Sequence, residues 1–314
     1  MGGPLPVTVL TGFLGAGKTT LLNRLLTAPG APPVAVVVNE FGALGVDGRL
    51  VRARDEAMVE LRNGCVCCEM REDLRATMHG LLDRRRRWWR PLRVEGVLVE
   101  TSGLATPGPL VQTCLLDPRL AAETRVDGVV ALAHAGLVAA QVAAHPEAAA
   151  QVAAADVLLL NHTDAPGADL SAAERALRAL NPLAPLHRSV RAEVPLGPLR
   201  DIGGTDPARW RFPAETAHSA GISSVALRSR APWELGRLKL FLQFVSARRG
   251  AEILRMKGIF RVDGHSRAVV VHGIHQWLEL GPGELPPPEE SVLVVIGRGL
   301  AQAELERGWA AAGA

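Results

Sequence analysis

The chain has 314 residues, 48% of them hydrophobic and 21% charged, and its formal net charge is +3. The composition is typical of a globular protein, the length allows two domains, and the small net charge does not indicate a nucleic-acid partner. No apolar run suits a transmembrane helix and the first residues do not resemble a secretory signal, so we expect a cytoplasmic protein without a membrane partner. The four cysteines then argue against a disulfide framework.

The first predicted strand, residues 7–10, leads into a glycine-rich loop and a leucine-rich helix at residues 21–26. The loop matches G-x-x-x-x-G-K-[ST], and in this context the pattern is typical of a P-loop that binds a nucleoside triphosphate. Glycines let backbone amides surround phosphate oxygens, Lys18 adds positive charge, and the Thr19 hydroxyl can ligate Mg²⁺. The residues predicted to bind the nucleotide here are Gly12, Phe13, Leu14, Gly15, Ala16, Gly17, Lys18, Thr19 and Thr20.

Apolar runs and amphipathic segments then alternate as far as residue 180, which predicts a parallel α/β sheet. The predicted strands are residues 34–38, 58–61, 97–99, 126–132 and 157–160. The predicted helices are residues 69–87, 137–154 and 171–180, the last opened by a capping box at Ser171.

Residues 201–213 are rich in Gly, Pro and Asp and predict a linker between a P-loop domain at residues 1–200 and a smaller domain at residues 214–314. The second domain has predicted strands at 222–227, 254–262, 268–272 and 292–296, predicted helices at 233–248 and 301–311, and a proline-rich loop at 281–290. The predicted fold class is therefore α/β, a P-loop NTPase with a doubly wound parallel sheet and a smaller C-terminal α+β domain.

Glu100 follows the predicted strand at residues 97–99. A carboxylate in this position can hold Mg²⁺ directly or through water. Lys18, Thr19 and Glu100 are therefore the predicted catalytic set, with Thr19 and Glu100 as magnesium ligands. A strand-end carboxylate in an ordinary turn is the alternative.

The next strand ends at Asn161 and is followed by Asp164, where a GTPase carries its Asn-Lys-x-Asp motif. Asp164 could accept hydrogen bonds from N1 and the exocyclic amine of guanine, and Asn161 would tie this loop to the P-loop. His162 replaces the usual lysine, which weakens the expected guanine preference.

Cys65, Cys67 and Cys68 form the most informative cluster. Thiolates suit Zn²⁺ and similar ions, and three of them leave a tetrahedral ion one ligand short, as suits a site that releases its metal. Buried apolar packing and a redox pair are the alternatives. Cys114 is isolated and is predicted to lie in a core.

Two other polar features receive no functional assignment. The arginine-rich residues 84–90 are more typical of a solvated helix end than of a nucleic-acid site. His134 and His145 lack the spacing of metal ligands.

Together, the motifs resemble those of the CobW-type metallochaperone GTPases, which are relatives of the nickel-insertion GTPases of urease and hydrogenase. The segments that carry the resemblance are residues 12–20, 39–42, 65–68, 100–103 and 161–164, with residues 218–225 and 255–258 resembling the family's C-terminal domain. The resemblance implies GTP and Mg²⁺ as cofactors, with Zn²⁺ or, in some members, Co²⁺ at the three cysteines beneath the nucleotide.

The resemblance also implies a switch segment containing Asn39, Glu40 and Asp47 that loosens on hydrolysis and frees the metal for a client metalloprotein. The sequence departs from the family at Ala43 and His134, where members often carry acidic residues. The resulting hypothesis is a slow GTPase that delivers a soft divalent metal, and a homodimer is compatible with it. The alternatives are a cobalt-directed member serving cobalamin synthesis or nitrile hydratase, a non-catalytic metal buffer or adaptor, and a P-loop kinase.

Overall fold

The structure, a computed structural model, describes residues 3–38, 58–60, 68–89, 91–195, 199, 201–213, 217–219, 221–275 and 277–313. The chain divides into two compact units, Met1–Glu174 with Pro185–Gly204 and Arg175–Ala184 with Thr205–Ala314. The domain boundaries proposed from the sequence stay a prediction. Within the described ranges, every helix is too short or too polar to span a lipid bilayer.

The strands of the first unit are β1 (Leu5–Gly12), β2 (Val34–Val38), β3 (Met58–Glu60), β4 (Gly96–Glu100), β5 (Thr124–His134), β6 (Val157–Asn161) and β7 (Leu186–Arg188). In the described part of the chain they form one seven-stranded sheet in the order β3-β2-β4-β1-β5-β6-β7. Every pairing in it is parallel. Continuous apolar runs such as β6 are buried along their whole length, as expected for a sheet covered on both faces. The predicted P-loop α/β fold is confirmed.

The helices that follow these strands are α1 (Lys18–Thr27), α2 (Cys68–Arg86), α3 (Gly108–Leu116), α4 (Pro118–Glu123), α5 (Val138–Ala144), α6 (Pro146–Ala154) and α7 (Leu170–Leu180). The single helix predicted for residues 137–154 is wrong, because Pro146 starts a new helix after His145 ends α5. The predicted capping box is also wrong. Asp169, and not Ser171, caps α7, since its carboxylate accepts a hydrogen bond from the Ala172 amide at 2.9 Å.

The second unit contains β8 (Ala217–Ser219), β9 (Ile222–Ser229), α8 (Leu235–Arg249), β10 (Ile253–Phe260), β11 (Val269–Ile274), β12 (Trp277–Pro282), β13 (Ser291–Arg298) and α9 (Gln302–Ala312). Its described strands form a six-stranded antiparallel sheet in the order β12-β11-β10-β13-β9-β8. The sequence analysis missed both edge strands, β8 and β12. The start of the predicted proline-rich loop belongs to β12, where Pro282 is tolerated because the strand lies at the edge of the sheet.

An aromatic cluster joins both helices of the second unit to its sheet. The ring of Trp309, on α9, lies 4.5 Å from that of Trp233 and 5.7 Å from those of Phe241 and Phe260. The Trp309 indole N–H also donates to the Arg228 carbonyl oxygen at 3.1 Å, which satisfies its polar atom inside the core.

We expect Trp309→Ala to lower the free energy of unfolding of the second unit by about 3–5 kcal/mol, because it leaves a cavity among three aromatic rings. Urea unfolding followed by far-ultraviolet circular dichroism measures this. Trp88 is 85% exposed, so Trp88→Ala is the matched control and should stay within about 0.5 kcal/mol of the parent. Equal losses in the two variants would contradict the assignment.

Candidate functional site

The glycine-rich loop connects the end of β1 to the start of α1. Gly15 and Gly17 have φ angles of +76° and +100°, in the left-handed region that glycine adopts without a steric penalty. The loop is closed by a hydrogen bond of 3.2 Å from the Ala16 amide to the Phe13 carbonyl oxygen. The result is a concave backbone segment at a helix N-terminus, an arrangement suited to phosphate oxygens.

Lys18, the first residue of α1, extends its side chain back over this loop. Its Nζ atom donates to the carbonyl oxygens of Gly12 at 2.8 Å and Phe13 at 3.4 Å. Burial lowers the pKa of Lys18, and the nearby charge of Glu100 opposes this shift. A buried ammonium group of this kind would be stabilised by additional negative charge in the loop.

Thr19 and Glu100 meet although they lie on different elements, α1 and the end of β4. The Thr19 hydroxyl donates to Oε1 of Glu100 at 2.9 Å, and Glu100 is only 5% exposed. The Thr101 amide donates to the Leu10 carbonyl oxygen at 2.9 Å, which holds the end of β4 against β1. A hydroxyl and a buried carboxylate beside the P-loop are the oxygen donors that Mg²⁺ prefers, so the donor set fits this ion.

The side chain of Asn161 joins three loops. Its Nδ2 atom donates to the Ala16 carbonyl oxygen at 2.9 Å. Its Oδ1 atom accepts from the Ala192 amide at 2.8 Å and from the Ser189 hydroxyl at 3.1 Å. Asn161 is fully buried, so these bonds replace its contacts with water. The expectation that Asn161 ties its loop to the P-loop is therefore met in the geometry, whereas its role in nucleotide binding stays a prediction.

The segment after β7 is part of the same arrangement, and the sequence analysis missed it. The Thr163 amide and hydroxyl both donate to the Ser189 carbonyl oxygen, at 3.2 and 3.1 Å. Arg191 and Ala192 adopt left-handed backbone angles, which turn the chain back towards Asn161. No sequence signal marked this turn, because β7 is short and neither residue is a glycine.

Two histidines lie against each other at the ends of β5 and β6. The rings of His134 and His162 are stacked, with 4.4 Å between centroids and 17° between planes. Nδ1 of His134 accepts from the Gly136 amide at 3.2 Å, and His162 has a φ angle of +55°. Burial, followed by the charge of His162, lowers the pKa of His134.

A third histidine, His145, contacts the P-loop directly. The His145 ring stacks on Phe13 at 4.7 Å. The sequence analysis assigned no role to His134 or His145, because their contacts are made across the fold and not along the chain.

Much of the predicted metal and switch machinery lies outside the described residues. This applies to Cys65, Cys67, Asn39, Glu40 and Asp47. Cys68 is the first residue of α2. Among the residues that the structure does describe, no three His, Cys, Asp or Glu side chains are grouped as metal ligands.

Cys114 is buried, as predicted, and burial raises the pKa of its thiol to about 12. It therefore stays protonated at neutral pH.

Comparison with known families identifies both parts of the chain. Residues 6–188 match the CobW/HypB/UreG nucleotide-binding domain, and residues 222–313 match the cobalamin synthesis protein cobW C-terminal domain. The chain belongs to the CobW/HypB/UreG family. The resemblance found in the sequence motifs is thereby confirmed.

Similar members of this family are named for zinc and for GTP hydrolysis. The chain is 31% identical to the zinc chaperone YjiA of Escherichia coli (strain K12) over 98% of each protein. It superposes on the crystal structure of Zn(II)-bound YjiA GTPase from E. coli with a TM-score of 0.77, 26% identity and 99% coverage of each chain. It is also 33% identical to the zinc-regulated GTPase metalloprotein activator 1 of Schizosaccharomyces pombe, over 63% of this chain and 48% of that protein.

Gly17 provides a test of the loop geometry. A Cβ atom at Gly17 would lie 2.5 Å from Nδ2 of Asn161, a side chain held by three hydrogen bonds. Gly167 has a similar φ of +75° but open space around it. Both alanine variants therefore carry strain at a positive φ, which is larger at Gly17, and Gly17→Ala also displaces Asn161.

We expect Gly17→Ala to lower the free energy of unfolding of the first unit by about 1–3 kcal/mol more than Gly167→Ala does. Urea unfolding of both variants measures the difference. Indistinguishable losses would show that Asn161 is not held as described.

Proposed function

We propose that this chain is a GTP-hydrolysing metallochaperone that binds zinc at Cys65, Cys67 and Cys68 and transfers it to a client metalloprotein. The observation that carries the proposal is the contact between the Thr19 hydroxyl and the buried Glu100 carboxylate beside Lys18 and the P-loop. This is the arrangement required to bind a nucleoside triphosphate together with a divalent ion.

The P-loop binds the phosphates in this proposal. Backbone amides of residues 12–20 and the N-terminus of α1 contact the phosphate oxygens, and Lys18 exchanges its bonds to loop carbonyl oxygens for bonds to the β- and γ-phosphates. Thr19 and Glu100 would hold Mg²⁺, which when bound neutralises charge on those phosphates. Catalysis of this kind depends on positioning and charge, and it needs little covalent chemistry from the protein.

The base is read at the end of β6. Asp164, which is exposed, is free to accept two hydrogen bonds from guanine, and the Asn161 bonds fix the loop that presents it. The names of the relatives, among them YjiA GTPase, support GTP as the nucleotide.

The zinc assignment is supported by ligand chemistry and by relatives. Three closely spaced thiolates suit Zn²⁺, and a helix N-terminus, such as the start of α2 at Cys68, favours the thiolate form. Zinc chaperone and zinc-regulated activator are the printed names of similar proteins. Co²⁺ is the alternative cargo, since thiolates accept it as well.

Coupling requires that the nucleotide state alters the metal site. We propose that Asn39, Glu40 and Asp47 belong to a switch segment that responds to the γ-phosphate and, after hydrolysis, loosens and releases zinc. On this proposal residues 1–200 form the GTPase domain and residues 214–314 a separate C-terminal domain.

We expect Glu100→Gln to reduce GTP turnover roughly 100-fold or more, because a bound metal contributes several kcal/mol to transition-state stabilisation. Its GDP affinity measured in EDTA should change far less than turnover does, since Glu100 makes no proposed contact with phosphate and acts there only through its charge near Lys18. Steady-state phosphate release and a GDP titration give the two values.

Glu95→Gln is the control for that variant, because Glu95 is exposed and lies just before the same strand. Parent-like turnover in Glu100→Gln would rule out the proposed magnesium site.

We expect Zn²⁺ to change the GTP turnover of the parent protein and Cys67→Ala to remove that response. Zinc affinity should fall at least ~10-fold in Cys67→Ala, since even changes outside the ligand shell cost this much. Competition with a chromophoric zinc chelator measures affinity, and repeating it with Co²⁺ compares the two cargoes. Affinity is the appropriate measure because a YjiA GTPase triple mutant with a glutamate and two cysteines replaced by alanine is still Zn(II)-bound.

Cys114→Ala is the matched cysteine control. Its thiol is buried and its pKa is about 12, so it does not provide a thiolate ligand at neutral pH. Identical zinc affinity and zinc response in the parent and Cys67→Ala proteins would refute the metallochaperone mechanism while leaving the GTPase intact.

A further inference from the structure

The stacked pair of His134 and His162 lies where the predicted phosphate and base sites meet. A Cβ atom on Gly17 would lie 3.6 Å from Nε2 of His162, so this ring borders the P-loop. In sequence His162 stands between Asn161, which bonds to the P-loop, and Asp164, which is predicted to read the base. A nucleotide whose phosphates lie in the loop would therefore bring its base close to this ring.

The geometry of the pair suits a flat aromatic ligand. The two imidazole planes are nearly parallel, and both side chains are only half-buried. His162 lies in the left-handed backbone region, which is uncommon for a residue other than glycine and is maintained only where surrounding contacts hold it. The loop around it is held by the bonds of Asn161 and Thr163.

The ring of His134 covers one face of the His162 ring. The Gly136 amide donates to Nδ1 of His134, which leaves the proton of the neutral ring on Nε2 and fixes the ring in place. Burial and the neighbouring His162 lower the pKa of His134, so this ring is uncharged at neutral pH.

We propose that the stacked imidazoles of His134 and His162 form a platform on which the purine base of the nucleotide stacks. His162 then contacts the base and is a specificity residue, and His134 is a positioning residue that acts through it. This inference rests on the proposed function, because it assigns a role at the same nucleotide site. The platform selects for a purine by ring area, and discrimination between guanine and adenine is left to the hydrogen bonds that Asp164 accepts from the base.

The platform also accounts for the replacement of lysine by histidine at this position. A lysine would cover the base with an aliphatic stem, whereas an imidazole offers a π face. Removing an aromatic side chain on which a base stacks typically weakens nucleotide binding roughly tenfold or more.

The test compares ligands with and without a base. GDP and inorganic tripolyphosphate are titrated by calorimetry into the full-length parent protein and into His162→Ala, His162→Phe and His134→Ala. We expect His162→Ala to weaken GDP binding roughly 10-fold and to leave tripolyphosphate binding unchanged, because only GDP carries a base. His162→Phe should retain most of the GDP affinity, and His134→Ala should lose less than His162→Ala.

His265→Ala is the control, since His265 is an exposed histidine of the second unit. Equal losses of GDP and tripolyphosphate affinity in His162→Ala would show that His162 has only a structural role, and would contradict the proposed stacking of the base on its ring. Unchanged GDP affinity in that variant would also overturn it, while leaving the GTPase proposal standing. A parent protein that binds tripolyphosphate but no guanine nucleotide would overturn both proposals.

Discussion

The fully buried side chain of Asn161 is the constraint on which the candidate site depends. Its amide group can be buried only if both its donor and acceptor atoms are satisfied, and the atoms that satisfy them belong to the P-loop and to residues 189–192. The loop predicted to contact phosphate and the loop predicted to read the base are thereby held at a fixed separation. A nucleotide bridging the two would find both ends of its site already in place, which reduces the entropy cost of binding.

The parallel sheet provides the rest of the arrangement. Because β1, β4, β5 and β6 are parallel neighbours, their carboxyl ends lie at one edge, as is general for ligand sites in this class of fold. Lys18 and Glu100 therefore come together from distant parts of the chain, and so do His134 and His162. The same topology explains how one edge of a sheet can present the predicted phosphate, metal and base sites through separate loops.

The sequence predicted the parts of this site that a local pattern encodes. The P-loop could be predicted because its glycines, Lys18 and Thr19 lie within the eight residues 12–19. The strands of the first sheet could be predicted because they are continuous apolar runs. The pairing of His134 with His162 could not be predicted, since it depends on the register of β5 against β6. The strands β7 and β8, with three residues each, carry too few residues to show a period. The break at Pro146 is visible in the sequence, because a proline cannot continue a helix that began before it.

The central claim is that the nucleotide and the metal are thermodynamically coupled. The most direct test is the zinc affinity of the parent protein measured once with a non-hydrolysable GTP analogue and Mg²⁺ and once with GDP and Mg²⁺. We expect zinc to bind more tightly in the triphosphate state than in the GDP state. Because coupling between two binding sites is reciprocal, adding zinc should tighten binding of the analogue, relative to GDP, by the same factor. Equal zinc affinities in the two nucleotide states would contradict the account.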